Sequence, residues 1–222
     1  TKCNYLFKLE LMKYHIIITI LIINVFAREW NYSADILEKK IENGKEVRVF
    51  KSNKNSNVII SSDTISIFTQ QAKQYMNSQE LHLIGPVIMI NGNDSLECKN
   101  MKFWYDIDSL EAFGNVNFKF KNNILTTDSL TYLETNGFRG YSFKTSGNSY
   151  LVDPEYNIRA NQIIYNDNLQ KMKLRDNAVI NSNNRGVSGD LIDLFFVDSL
   201  IKKITIKNNG YVFNNHYAIA NN

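Results

Sequence analysis

The sequence predicts an all-β chain folded as an elongated, open-ended β-sandwich, or trough, built from stacked repeats. Three observations predict it. First, one pattern of positions spaced two, three and two apart recurs five times, starting at Ile60, Leu96, Leu125, Ile158 and Val187. Successive copies thus begin roughly 30 residues apart, a period typical of stacked repeat architectures. Second, period two is the strand signature, and the extra residue in mid-pattern is what a bulge or sheet-switching corner inserts to keep both halves facing inward. Third, turn residues follow the copies: Asp106-Ile107-Asp108-Ser109, Asn136-Gly137, Asn166-Asp167-Asn168 and Val197-Asp198-Ser199. Asn-Gly is the preferred two-residue hairpin turn, because both central residues need positive φ.

Taken in chain order, the first element stands outside that fold. From Met12 the chain reads MKYHIIITILIINVFA, a basic start at Lys13, an apolar run from Ile16 to Ile23, then Val25-Phe26-Ala27. So short a run is a secretory signal, with cleavage expected after Ala27; an uncleaved membrane anchor is the alternative. Residues 1–27 are therefore assigned to the signal peptide, with Met12 as an alternative start, and residues 28–222 to a single repetitive β domain. Ser33 to Lys40 (SADILEKK) begins like a capping box and reads either as a helical turn or as the start of a strand.

Each copy then supplies predicted inward positions: Ile60, Ile65 and Ile67; Leu96, Met101 and Phe103; Leu125, Leu130 and Tyr132; Ile158, Ile163 and Tyr165; Val187, Ile192 and Leu194. A second alternation follows the turn, through Leu81, Leu83, Val87 and Met89 in the first unit, Leu110, Ala112, Val116 and Phe118 in the second, and Met172 and Leu174 later. Gly85-Pro86, Gly114-Asn115, Asp176-Asn177 and Asn209-Gly210 mark a second corner, and the third unit, near Ser142 to Gly147, has lost that mark. Ile219-Ala220-Asn221 echoes Ile158-Arg159-Ala160-Asn161, so the array reads as cut off at Asn222. A unit of this size cannot bury its inner face alone, which is why it is stacked.

Composition excludes several functions. The net charge is +3, yet the segment from Thr1 to Ala27 holds Lys2, Lys8 and Lys13 against Glu10, leaving acids and bases nearly balanced beyond it. Phosphate binding needs concentrated positive charge, so no nucleic-acid partner is expected. Cys3 falls in the leader and Cys98 is alone in the domain, so packing and not a disulfide must hold the fold. His82 and His216 have no metal-ligand spacing, and His82, between inward Leu81 and Leu83, faces solvent; no cofactor or metal is expected. Asp63, Asp94, Asp128 and Asp190 recur at the bulge, where a carboxylate satisfies free backbone N–H groups, and they are read as structural. Phe103, Phe118, Tyr132, Tyr165 and Phe195 are read as inward, and one of Phe103, Trp104 and Tyr105 as outward.

The pattern L-x-T-x-x-L-x-Y, a turn, then L-x-A-x-G-N-V-x-F resembles the OstA-like family of periplasmic lipopolysaccharide transport proteins, which includes LptA and the N-terminal domain of LptD. Leu110-Glu-Ala-Phe-Gly-Asn-Val-Asn-Phe118 is the best copy, and the tract NYSADILEKKIENGKEVRVF, Asn31 to Phe50, looks like the family's opening with Ala34-Asp35 before a degenerate first repeat. The match runs from Asn31 to Asn222; Gly85-Pro86-Val87 departs from G-N-V. The resemblance implies a twisted β-jellyroll trough with no enzymatic activity, whose inward residues given above line a path for lipopolysaccharide acyl chains. It also implies units of different proteins joined end to end by strand pairing. An acyl chain gains about 0.8 kcal/mol per CH₂ taken out of water, so a carrier must offer a continuous apolar lining. The alternative is a repetitive β scaffold, adhesin-like, with a filled core and no lipid.

Overall fold

The computed structural model describes residues 29–53, 56–135, 140–182, 185–198, 200–214 and 218–221. The segment expected to be a signal, with Cys3, and Asn136-Gly137, Ser199 and His216 lie outside them. Among the described residues there are nineteen strands and one 3₁₀ turn, Met76–Ser78. The first strands are β1 Asn31–Ser33, β2 Ile36–Glu42, β3 Lys45–Lys51, β4 Val58–Ser61, β5 Ile65–Thr69, β6 Gln71–Tyr75 and β7 Glu80–Asn91. Then come β8 Asp94–Trp104, β9 Ser109–Phe120, β10 Asn123–Thr135, β11 Gly140–Ser146, β12 Ser149–Val152 and β13 Asn157–Ala160. The chain ends in β14 Gln162–Asn166, β15 Lys171–Ser182, β16 Arg185–Val197, β17 Leu200–Lys207, β18 Gly210–Asn214 and β19 Ala218–Asn221. The SADILEKK ambiguity resolves as strand: β2 pairs along its length with β3.

Every pairing is antiparallel, and the long strands each serve two ladders. The first half of β7 pairs with β6 and the second half with β5; the halves of β10 pair with β12 and β11, and those of β16 with β18 and β17. A first ladder therefore runs β2, β3, β6, β7, β8, β9, β10, β11, β14, β15, β16, β17. A second runs β1, β4, β5, β7, β8, β9, β10, β12, β13, β15, β16, β18, β19. They meet at a spine of corners, where the register shifts between Ile84 and Val87, Glu97 and Asn100, Thr127 and Ser129, and Arg175 and Ala178. Inner aromatics touch across the fold: the rings of Tyr32 and Phe50 stack at 4.9 Å, and Phe118 meets Tyr132 at 6.0 Å.

The corners need backbone that most residues resist. Gly114 and Asn115 take φ 79° and 53°, Asp176 and Asn177 58° and 56°, Asn208 and Asn209 59° and 49°. Gly, Asn and Asp accept that left-handed region at least cost, which is why they punctuate the alternation. The third unit keeps the same device. Gly147 has φ 79°, as Gly114 does, and Gly147-Asn148-Ser149 occupies the corner, so the mark read as lost is present with serine in place of valine. Ser149 is fully buried and hydrogen-bonds Thr127 Oγ1 at 3.0 Å and Thr145 Oγ1 at 2.6 Å, while Ile163 N–H donates to Thr145. Ser149→Ala should cost about 1–2 kcal/mol in chemical denaturation, because it unpicks a buried hydroxyl network without making a large cavity.

The spine also moves the first copy. Ser62 and Asp63 lie in the hairpin turn between β4 and β5, where Ser62 N–H bonds the Ile65 carbonyl, and not at a bulge. The residue equivalent to Thr127 is Thr69, whose hydroxyl bonds the Gln71 and Ile84 carbonyls as Thr127 bonds that of Ser129. Counted from Ile67 instead of Ile60, the first interval, to Leu96, equals those from Leu96 to Leu125 and from Ile158 to Val187. The interval from Leu125 to Ile158 then stands alone as longer. Asp94 is likewise in a hairpin, accepting from Lys121 N–H at 3.0 Å; Asp128 and Asp190 do sit at corners.

Candidate functional site: an apolar trough between the ladders

Cross-strand register turns the repeated apolar positions into continuous rows. On the second ladder Ile60, Ile67, Met89, Leu96, Phe118, Leu125, Leu151, Ile158 and Ile180 are successive neighbours, and the row continues through Val187 and Val212. On the first ladder Leu81, Phe103, Leu110, Tyr132, Phe143, Tyr165, Met172, Leu194 and Ile204 form the facing row. Closer to the spine the positions are small: Thr69, Cys98, Thr127, Ala160 and Gly189. Two sheets converging on a fold line leave little depth there; a Cβ on Gly189 would stand 2.6 Å from the Ile206 side chain.

Away from the spine the ladders separate unevenly. Around Met89, Leu96, Phe103 and Leu110 the space left is about 60 Å³. Between Phe120, Tyr141, Phe143, Leu151 and Tyr165 it is about 360 Å³, and around Ile180, Val187, Ile201 and Val212 about 530 Å³. The two larger spaces share Glu155, Tyr156 and Leu200, so they adjoin along the C-terminal half, where the trough is wider than around Met89 and Leu96. The Asp153–Tyr156 turn, with Glu155 N–H on Asp153 Oδ1 at 2.9 Å, forms part of the rim; it falls within the longer interval between Leu125 and Ile158.

Aromatic rings line the widening. Phe120 meets Phe143 at 5.9 Å, Tyr132 stacks on Tyr141 at 5.8 Å, Tyr141 and Phe143 both reach Tyr165 at 5.5 Å, and Tyr165 reaches Phe196 at 6.2 Å. Burial, aided by Asp167 and Asp94, pushes the Tyr141 phenol up to about 12. Burial with Asp153 and Glu155 does the same to Tyr156, up to about 12, and Tyr132 and Tyr165 are raised for the same first reason. The phenols therefore stay neutral, presenting an apolar body inward and a polar tip to the acidic rim. Metal-ligand clusters are absent among the described residues.

The sequence that builds this trough matches the family model of the LptA/(LptD N-terminal domain) LPS transport proteins over residues 54–197. The chain belongs to that family. No curated protein matches it. Among solved structures it is similar to the crystal structure of LptH, the LptA-homologous periplasmic component of the lipopolysaccharide transport device of Pseudomonas aeruginosa. The two are 8% identical with a TM-score of 0.21, over 82% of this chain and 83% of that one.

In this LptA/LptD-type domain the predicted inward positions do point inward. Most are buried; Tyr165 and Val187 are half-buried where the trough widens, and Tyr132 is half-buried beside the smaller space. Phe195 is the exception. It faces outward between Lys171 and Lys203, because unbroken alternation along β16 gives the inward places to Ile192, Leu194 and Phe196; the register shift beside it adds Lys202 on β17. Sequence reading also missed Phe120, Tyr141, Phe143 and Leu151. The signal for Tyr141, Phe143 and Leu151 was the alternation on either side of Gly147-Asn148, and that for Phe120 was the alternation through Val116 and Phe118. Phe103 is inward and Trp104 is its half-buried outward neighbour, with Tyr105 folded back toward Trp30 at 5.9 Å. His82 is outward as expected, 2.5 Å from Glu80 and 4.6 Å from the Tyr75 ring.

Cys98 has become a spine residue with no catalytic surroundings. Burial pushes its thiol up to about 12, against weaker opposing hydrogen bonds from the backbone at Phe113 and Asn100. In a Cys3→Ser variant near pH 8, a thiol reagent should label Cys98 only at the rate of unfolding, with fast labelling appearing in denaturant.

Proposed function

We propose that this domain is a periplasmic carrier that holds the acyl chains of lipopolysaccharide, or of a similar lipid, in the trough during transport toward the outer membrane. The observation that carries the reading is the continuous apolar, aromatic-rimmed opening of the C-terminal half, a shape that a filled scaffold has no need to leave. Lipid binding there requires no chemistry, only removal of CH₂ groups from water, and family membership in a transport class agrees with a non-enzymatic role. Secretion behind the apolar leader would place the domain in the periplasm. Among the described residues β1, β2, β17 and β19 each pair on one side only, so both ends present strand edges that another Lpt-type unit can extend.

A photo-reactive amino acid placed at Tyr165 or Phe196, inside the opening, should form adducts with added lipopolysaccharide, while the same group at outward Asn117 or Thr131 should not. Equal labelling at all four positions would defeat the carrier. Absence of labelling would favour the cargo-free scaffold.

A further inference from the structure

We propose that the outer face of the first ladder, in its C-terminal half, docks on an anionic membrane surface. There β11, β14, β15, β16 and β17 are hydrogen-bonded neighbours. Their outward positions carry Lys144, Lys171, Lys173, Arg175, Lys203 and Lys207. Register sets these side chains in rows: Lys171, Phe195 and Lys203 in one, Lys144, Ile164, Lys173, Asp193 and Thr205 in the next, Arg175, Leu191 and Lys207 in the third. With neighbouring strands about 4.8 Å apart and alternate residues about 6.7 Å apart, the array spans roughly 19 by 13 Å. Within these rows Asp193 is the single carboxylate, its Oδ2 3.7 Å from Lys171 Nζ.

The same face of the N-terminal half is different. Glu38 accepts from Lys40 at 2.6 Å and Lys51 at 2.8 Å, Glu42 from Lys73 at 2.9 Å, and Lys102 lies opposite Glu111. Charge is neutralised internally there, so the excess is local to one half of one sheet. Its shape also selects the partner. The face is a sheet surface, and cations spread in two dimensions match a plane of phosphates better than a chain of acids. Phe195 sits among them with Lys171 Nζ 4.5 Å and Lys203 Nζ 5.6 Å from its ring centroid, an apolar group suited to the headgroup layer. The patch backs the wide part of the trough, so docking would hold the open half against a leaflet. The inference does not depend on what the trough carries.

The test is flotation of the purified protein with phosphatidylcholine vesicles, with and without about 30% phosphatidylglycerol, read as the ratio of binding to the two. The ratio should be well above one at about 0.05 M salt and fall toward one at about 0.5 M. Lys173→Glu/Arg175→Glu/Lys207→Glu should lower it at least about tenfold, and Lys39→Glu/Lys45→Glu/Lys119→Glu less than about twofold. Should the first triple variant fail to melt cooperatively, the exposed pair Lys203→Gln/Lys207→Gln should still lower the ratio severalfold. A ratio near one for the wild type, as an acidic-protein partner would give, overturns the proposal; so does an equal loss in the control triple.

Discussion

Replacing Phe103 by alanine should lower stability by about 3–5 kcal/mol, the range for removing a buried aromatic side chain. Phe103 is 1% exposed and lies in the narrower, N-terminal half of the trough. Leu81 and Leu110 flank it on neighbouring strands, and the Trp30 ring stands 5.6 Å away at a steep angle. β-Strands on both sides are held in a continuous ladder, so the backbone has little freedom to collapse into the void. Such a loss is a large share of the roughly 5–15 kcal/mol that holds a domain folded. Urea denaturation should show the midpoint falling with little change in slope. Phe113→Ala, on neighbouring β9 and 40% exposed on the outer face, should stay within about 1 kcal/mol of wild type. Similar losses for the two would mean that the inner face is not the core.

Leu200→Glu should have the opposite profile, with cargo binding lost and stability kept. Leu200 lies on the wall shared by the two larger spaces of the trough and is 47% exposed, so a carboxylate there remains hydrated in the empty protein and should cost less than about 0.5 kcal/mol. An acyl chain crossing that wall would have to desolvate the charge, and lipopolysaccharide binding should weaken at least about tenfold. Leu169→Glu, 69% exposed and outside both linings, supplies the control and should bind as wild type does. Unchanged binding in Leu200→Glu would remove the C-terminal opening from the cargo path.

The alternation of Leu110, Ala112, Val116 and Phe118, broken once by Gly114-Asn115, was sufficient to place both halves of β9 and the corner between them. That legibility is physical: side-chain direction reverses at each strand residue, and a one-residue error would turn every apolar group to water. The misreadings fall where two positions satisfy the same local pattern. Ile60-Ser-Ser and Ile67-Phe-Thr both offer an apolar residue two before a small one, and only pairing of β5 with β4 on one side and β7 on the other shows that the corner follows Thr69. Phe195 and Phe196 are adjacent, and alternation from inward Leu194 turns Phe195 out and Phe196 in, so this residue was legible from period two alone. Gly147-Asn148-Ser149 was passed over because serine breaks an apolar rule, although partners far along the chain, Thr127 among them, make a buried serine acceptable there.

By itself the sequence determined strand content, the repeat, the positions of Gly114-Asn115 and Asp176-Asn177 at corners, and most of the inward set, since each follows from period two and from which residues tolerate positive φ. Where the trough is narrow and where it is wide was decided only by the tertiary structure, because that depends on how far two ladders diverge from their shared spine. The same holds for charge. From residue 28 onward acids and bases are nearly equal in number, yet register gathers Lys144, Lys173, Arg175 and Lys207 from several strands onto one half of a face while pairing Glu38 and Glu42 with lysines on the other half. A sum over the chain is blind to that segregation; hydrogen-bonded neighbours in space create it.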